Sequence, residues 1–328
     1  MINKNILILG SNSFSGASFG SKLPENYTKH HVYRTPVSSD AFKQPGPTRR
    51  GETYTQWNLN DDPRIICDLI RANNVEIIIN FAAQSMVGQS WEQPEDWYEA
   101  NNVSFSRLLK QVSKEESVSR FIQFTTPEVY GSTNGWTKEN FNFAPNTPYA
   151  VSRAASDWHL KAMHENFGFP VIFTRAANVY GEHQRLYRIV PRVILSALTG
   201  QKLPLQGGGK SVRSFIHIDD VSDALLKIIN NGVAGESYHI STNELITIYS
   251  LVSLIAKKIG IKVEDLVEMA PDRSGKDFAY QLDSQKIRAE LEWSDRITLS
   301  GGIDRTIKWV QENLDELKEM PLNYEHRR

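Results

Sequence analysis

Short runs that are apolar at nearly every position alternate, along the first half of the chain, with longer stretches whose apolar residues recur at helical spacing. The runs are "NILILG", "HHVYR", "VEIIINFAA", "RFIQFT" and "PVIFTRAA"; between them lie "ASFGSKL", "DDPRIICDLIRANN", residues 103–112 and residues 149–167. A strand that is apolar throughout is covered on both faces, and strands spaced by helices run parallel. The pattern therefore predicts βαβ units and an α/β, doubly wound parallel sheet. After Asn178 the regularity fades: "GQKLPLQGGGK" predicts a turn between short strands, "RSFIHIDDVSDALLKIINNG" a strand with its helix, and "GGIDRTIKWVQENL" an amphipathic helix. The organisation that follows is a sheet domain over residues 1–175 with return segments near 211–240, and a smaller, interleaved domain made mainly of residues 176–328.

Composition narrows the class. The chain has 328 residues, 40% of them apolar, enough for one large and one small core. Its 37 basic and 38 acidic residues are well mixed, so no field strong enough to hold nucleic acid or an anionic membrane is implied, and any anionic ligand must be bound locally. The single cysteine, Cys67, cannot form an internal disulfide and reads as a small buried side chain in a reducing compartment. "MINKNILILG" is too short in apolar residues for a signal peptide and no run reaches membrane length, which points to the cytoplasm. His217 and His239 show no metal-ligand spacing and read as structural, with no metal expected. Asp219 and Asp220 read as the N-cap and first-turn charge of the helix that follows.

Three stretches carry chemistry. "LILGSNSFSGASF" sets Gly10 after the first strand and Gly16 at the start of the next helix, with Asn12, Ser13, Phe14 and Ser15 between. Such a turn offers backbone N–H groups at a positive helix end, where a dinucleotide pyrophosphate can sit. The end of the second strand chooses the dinucleotide. An NAD site needs an acid there for the ribose hydroxyls, whereas a 2′-phosphate needs a cation and hydroxyl donors. This chain has Arg34, Pro36, Ser38 and Ser39 and no acid before Asp40, which favours NADP over NAD. Finally, "TPYAVSRAASDWH" places Tyr149 and Arg153 four apart on one helix face. A phenol serves as a base near neutral pH only if its anion is stabilised, and a cation one turn away does this.

"GSNSFSG", "AAQSMV", "EVYGS", "TPYAVSRAASD", "RAANVYGEHQ", "VPRVILSALTGQKLPLQGGGKSVRSFIHIDDV" and "DRSGKD", in this order, resemble the extended short-chain dehydrogenase/reductase family, and within it the nucleotide-diphosphate-sugar 4,6-dehydratases of the dTDP-glucose and GDP-mannose type. Ser13 stands where the family has its middle glycine, and Arg153 where it has lysine. The resemblance implies a Rossmann domain with tightly bound NAD(P), an NDP-sugar substrate and a homodimer or higher homo-oligomer paired through the helices near Val103 and Tyr149. It points to Asn58 and Leu59 on the adenine side, Ala82, Ala83 and Gln84 along the dinucleotide, and Ser85, Asn178, Arg188, Arg213 and Arg273 on the sugar nucleotide.

The same resemblance implies a reaction for deoxysugar biosynthesis. Hydride leaves sugar C4 while Tyr149 takes the hydroxyl proton, assisted by Thr126; a carboxylate then removes the C5 proton, water leaves C6 and hydride returns there. Glu128, in "FTTPEVYG", matches that carboxylate. The dTDP-glucose type has a second acid where this chain has Pro127, whereas the GDP-mannose type has serine there and works with one glutamate, so Glu128 reads as a lone acid and base. Two alternatives remain on the same residues: a C4 epimerase or reductase that loses no water, and a non-catalytic dinucleotide-binding protein.

Overall fold

The computed structural model describes residues 4–44, 48–271 and 281–326. The chain begins with β1 (Lys4–Leu9), α1 (Phe14–Lys22), β2 (Tyr27–Tyr33), β3 (Thr53–Gln56), α2 (Arg64–Asn73) and β4 (Ile77–Asn80). It continues through α3 (Pro94–Tyr98), α4 (Phe105–Val112), β5 (Arg120–Thr125), the short β6 (Trp136–Thr137), α5 (Pro148–Phe167) and β7 (Val171–Ala176). Beyond these lie β8 (Asn178–Tyr180), α6 (Ile189–Thr199), β9 (Leu203–Gln206), β10 (Val212–Arg213), β11 (Phe215–His217), α7 (Ile218–Asn231), β12 (Ser237–Ile240) and α8 (Ile248–Ile259).

Seven strands form one sheet in the order β12-β7-β5-β4-β1-β2-β3, and every neighbouring pair is parallel. This is the doubly wound sheet that the apolar runs predict. The alternation within each run explains the layers. Ile6 and Ile8 of β1 join Ile77 and Ile79 of β4 under α1 and α7, while Leu7, Leu9 and Ile78 face α2, α4 and α5. Burying each such side chain contributes about 1.5–3 kcal/mol, so a strand apolar on both sides is held from both sides.

β3 escapes the apolar-run pattern because it is the edge strand: its residues alternate between partly buried and exposed, with Tyr54 turned outward. A separate core is built from α6, α8 and the helix Leu299–Glu312, including Val193, Ile194, Leu251, Ile255, Ile303 and Val310. Ala41 and Phe42, from the loop after β2, are inserted into it.

The helix over Ile218–Asn231 is capped differently from the sequence expectation. His217, fully buried, accepts the Asp219 N–H through Nδ1, and Asp220 turns away to accept from the backbone N–H groups of Arg296 and Ile297. A partner distant in sequence thus claims the carboxylate that local pattern assigns to the helix end. Cys67 is buried. Among the described residues, no helix is long and apolar enough to cross a membrane.

β1 lies between β4 and β2, so the chain crosses over in opposite directions from the middle of the sheet. In such sheets the carboxyl ends of the strands at the reversal leave a crevice. Everything placed after β1, β2, β4, β5 and β7 opens toward it.

Candidate active site

The crevice is a cavity of about 1340 Å³ that extends from the β1–α1 turn to the second core. A single small ligand occupies ~300–1,000 Å³, so there is room for two. Six arginines line it (Arg34, Arg153, Arg185, Arg188, Arg192 and Arg213) against three acids (Glu128, Glu319 and Glu325). The chain is neutral overall, yet this hollow is strongly cationic and built for phosphate oxygens, which guanidinium forks match.

At the β1 end, Gly10 has φ +77, and a Cβ there would stand 2.9 Å from the Ala82 nitrogen. Only glycine lets β1 turn so close to the chain leaving β4. Asn12, Ser13, Phe14 and Ser15 line the cavity at the positive end of α1, and Asn12 is held by a 3.0 Å bond from its side-chain amide to the Thr35 carbonyl. Ser13 is the N-cap: its Oγ accepts the Gly16 N–H at 3.1 Å. The hydroxyl proton is left to donate into the cavity. Gly16, in contrast, does not line the cavity; its amide is taken by Ser13, and a Cβ on it would collide with the Gly10 carbonyl oxygen. The absent side chain serves close packing of α1 on the β1 turn.

Past β2, Arg34 and Ser38 line the cavity, and Ser39 does not. Ser39 is buried, capping Ala41 and donating to Glu316. Arg185, from the loop between β8 and α6, instead reaches Ser38 Oγ at 3.0 Å and lies 4.3 Å over the Phe42 ring. Asn58 and Leu59 line the same end, with Asn58 in a turn closed by Asp61. Ala82, Ala83, Gln84 and Ser85 follow β4 along the wall; the Gln84 backbone is fixed in both directions by the Asn101 side-chain amide.

β5 delivers the chemistry. Thr126, 6% exposed, follows it and accepts the Glu128 N–H through Oγ1 at 3.2 Å, capping the short helix Pro127–Tyr130. Pro127 suits the first helical position, where an N–H would be unsatisfied. This local geometry turns Glu128 into the cavity beside Thr126. Thr147 caps α5, so Tyr149 and Arg153 lie in its first two turns. Burial raises the Tyr149 phenol above its ordinary value and the Glu128 charge adds to this, while Arg153, a hydrogen bond from Thr126 and Arg188 pull it down. The five side chains therefore meet at one point. Arg153 is 4% exposed and donates to the Phe124 carbonyl at 2.7 Å, which is no surface pairing.

On the far side, Asn178 at the start of β8, the exposed Arg188 at the N-terminus of α6 and Arg213 in β10 all line the cavity. Arg273 lies outside the described residues. Sequence reasoning missed Arg185, Tyr187, Arg192, residues 319–321 and residues 323–325, which also face the cavity. Nothing local marks them; they are brought in by the packing of the second core.

The sequence matches the GDP-mannose 4,6-dehydratase family over residues 7–306. A dTDP-glucose 4,6-dehydratase of Streptomyces niveus is 34% identical over 254 residues, covering 76% of this chain and 75% of that protein. One from Neisseria gonorrhoeae is 30% identical over 343 residues, covering 94% and 96%. Among solved structures, the dTDP-glucose 4,6-dehydratase of Streptomyces venezuelae with NAD bound is similar at a TM-score of 0.87 and 28% identity, over 95% of this chain and 98% of that one. The UDP-glucose 4-epimerase of Thermotoga maritima with UDP-glucose is similar at 0.85 and 25% identity, over 94% and 99%. The resemblance read from the motifs is borne out: the chain belongs to the GDP-mannose 4,6-dehydratase family.

Proposed function

We propose that the protein is an NDP-hexose 4,6-dehydratase that converts an NDP-sugar to its 4-keto-6-deoxy form with a tightly bound nicotinamide dinucleotide, NADP in preference to NAD. The observation that carries the reaction is Glu128, a single carboxylate set by the Thr126 cap into the wall where Tyr149 and Arg153 also stand. An epimerase has no use for a base beside the tyrosine.

The residues present fit a dinucleotide. The cradle between Gly10 and Ala82 would be filled by any side chain, and the α1 N-terminus with the Ser13 hydroxyl suits a pyrophosphate. Arg34, Ser38 and Arg185 form a cationic, hydroxyl-bearing end without a lining carboxylate, which supports NADP. When bound, the nicotinamide takes a hydride from hexose C4 and returns it to C6. Tyr149 accepts the C4 hydroxyl proton, with Arg153 supplying fixed positive charge and Thr126 holding the phenol. Glu128 removes the C5 proton and delivers a proton to the departing C6 oxygen, which leaves as water; as hydride reaches C6, C5 takes back a proton exchanged with solvent, and Pro127 has no donor. Ser85 and Asn178 contact the sugar nucleotide, and Arg188 and Arg213 its diphosphate. The reading includes a cytoplasmic homo-oligomer paired through the helices near Val103 and Tyr149, where Val103, just before α4, and Val151 and Trp158 in α5 are 39%, 39% and 48% exposed.

Glu128→Gln tests it. Losing a positioned acid–base group costs about 10²–10⁴-fold, so the variant should oxidise C4 and then stall, accumulating reduced dinucleotide and unreleased 4-keto sugar. Denaturing it and analysing the released cofactor reads the 2′-phosphate in the same experiment. A native product that keeps its C6 hydroxyl with inverted C4 would mean an epimerase, and released cofactor without the 2′-phosphate would overturn the choice of NADP.

A further inference from the structure

The family match ends at residue 306, yet the cavity wall does not. After the helix Leu299–Glu312, Leu314, Leu317, Met320 and Leu322 seat the chain on the second core. Arg192 donates to the Leu322 carbonyl at 3.5 Å. From there the segment leaves that core. Tyr324 meets the Tyr187 ring edge-on at 5.3 Å, and His326 reaches α3 on the other side of the cavity. There its Nε2 lies 2.8 Å from Asp96 Oδ2, and its ring stacks 4.9 Å from the fully buried Trp97 ring at 14°. The His326 and Asp96 side chains are only 16% and 13% exposed, unlike a solvated surface pair. Residues 321–326 alternate strictly, with Leu322, Tyr324 and His326 partly buried and Pro321, Asn323 and Glu325 exposed. The backbone bends at Leu322 and Asn323, and the segment is anchored on every second residue.

Asn323, Tyr324 and Glu325 line the same cavity as Tyr149 and Arg188. A carboxylate is a poor neighbour for a diphosphate, but it accepts hydrogen bonds from sugar hydroxyls well. The latch also sits beside the loop that follows β4, where Ser85 enters the cavity.

We propose that segment 319–326 is a strap across the substrate side of the cavity, latched by His326 on Asp96 and Trp97, and that its Asn323 and Glu325 bind hydroxyls of the hexose rather than the nucleoside or the phosphates. It rests on the nucleotide-sugar reading above. It makes hexose choice depend on a stretch beyond the part matched by the family model.

The test is calorimetric titration of the holoenzyme with dTDP-glucose, GDP-mannose and UDP-glucose, and with dTDP, GDP and UDP alone. Losing one charge-assisted hydrogen bond corresponds to about a tenfold change in affinity. Glu325→Gln and His326→Ala should each weaken the accepted NDP-hexose by about tenfold and shorten its residence time, while leaving the matching nucleoside diphosphate unchanged. Asp96→Asn, which breaks the latch from the opposite side, should reproduce His326→Ala. Unchanged NDP-hexose affinity in all three variants would overturn the strap alone. Equal weakening of the hexose-free nucleotide would overturn the assignment to the hexose. If none of the six compounds binds the native protein, the nucleotide-sugar reading fails and the strap with it.

Discussion

Thr125 and Thr126 are consecutive, and they belong to two different worlds. Thr126 caps the turn that carries Glu128 into the open cavity, whereas the Thr125 hydroxyl donates to the buried Asp157 Oδ2 at 3.0 Å. Asp157 is fully buried and paired at 2.8 Å with Arg175, also fully buried. Arg175 lies within 5.1–5.5 Å of the Tyr130, Phe143 and Phe141 rings and donates to Ser237. Behind it, Tyr130 and His239 are linked at 2.9 Å. Arg153, one helical turn before Asp157, has only the Phe124 carbonyl as a hydrogen-bond acceptor among the described residues, whereas Arg175 bonds a carboxylate and a hydroxyl; the Nε of each arginine is without a partner there. The sealed arginine is matched to an anion and encased in aromatic rings. The cavity arginine bonds a carbonyl and no carboxylate among the described residues, and a cation left without a bonded anion inside a protein is expected where a ligand completes it. The difference separates a charge that holds the fold from one that serves chemistry.

The largest effect should come from Asp157→Asn. Burial pushes the Asp157 carboxyl up, and Arg175 with Arg153 pulls it back. Removing one partner of a buried pair costs about 3–5 kcal/mol, so urea unfolding should show a loss of that order. A cost below about 1 kcal/mol would remove the distinction drawn between the two arginines.

Arg153→Met should leave the unfolding curve far less affected and slow C4 oxidation by about 2–4 kcal/mol in barrier, while Arg153→Lys keeps measurable turnover. Because Arg153 opposes the burial that raises the Tyr149 phenol, its loss should also move the ascending, acidic limb of the oxidation rate to higher pH. Equal rates in the Met and Lys variants would show that the charge plays no part.

The smallest effect titrates the sealed side. Burial, with Arg175 adding, lowers the His239 pKa from 6.5 to about 3. Between these values the unfolded chain binds a proton that the folded chain refuses. Stability contributed by neutral His239 is thus full above pH 6.5 and lost as pH falls toward 3, at about 1.4 kcal/mol per pH unit. Unfolding free energies measured between pH 6 and pH 4 should fall more gently, by roughly one proton, in His239→Gln. An identical slope would mean that His239 takes up its proton in the folded state.

Much of this site was legible before any coordinates. Gly10 is marked by its place after an apolar run, Tyr149 and Arg153 by helical spacing, and Glu128 by following a strand end; each depends on neighbours within a few residues. Spacing shows where Gly16 is and not which atoms crowd it, here the Gly10 carbonyl. Ser39 was misread for a similar reason, since Glu316 is 277 residues away in sequence.

The chain's own pattern thus determined the parallel sheet, its order of layers, the β1–α1 turn and the places of Tyr149, Arg153 and Glu128 at strand and helix ends, because hydrophobic period, caps and i to i+4 spacing are local properties. Tertiary structure alone decided that Asp157 pairs with Arg175 and leaves Arg153 to the cavity, that Arg185 joins Ser38, and that residues 319–321 and 323–325 line the wall. These contacts join separate cores, and their existence rests on how the cores pack, a many-body balance of burial and loop closure that no short window of sequence contains.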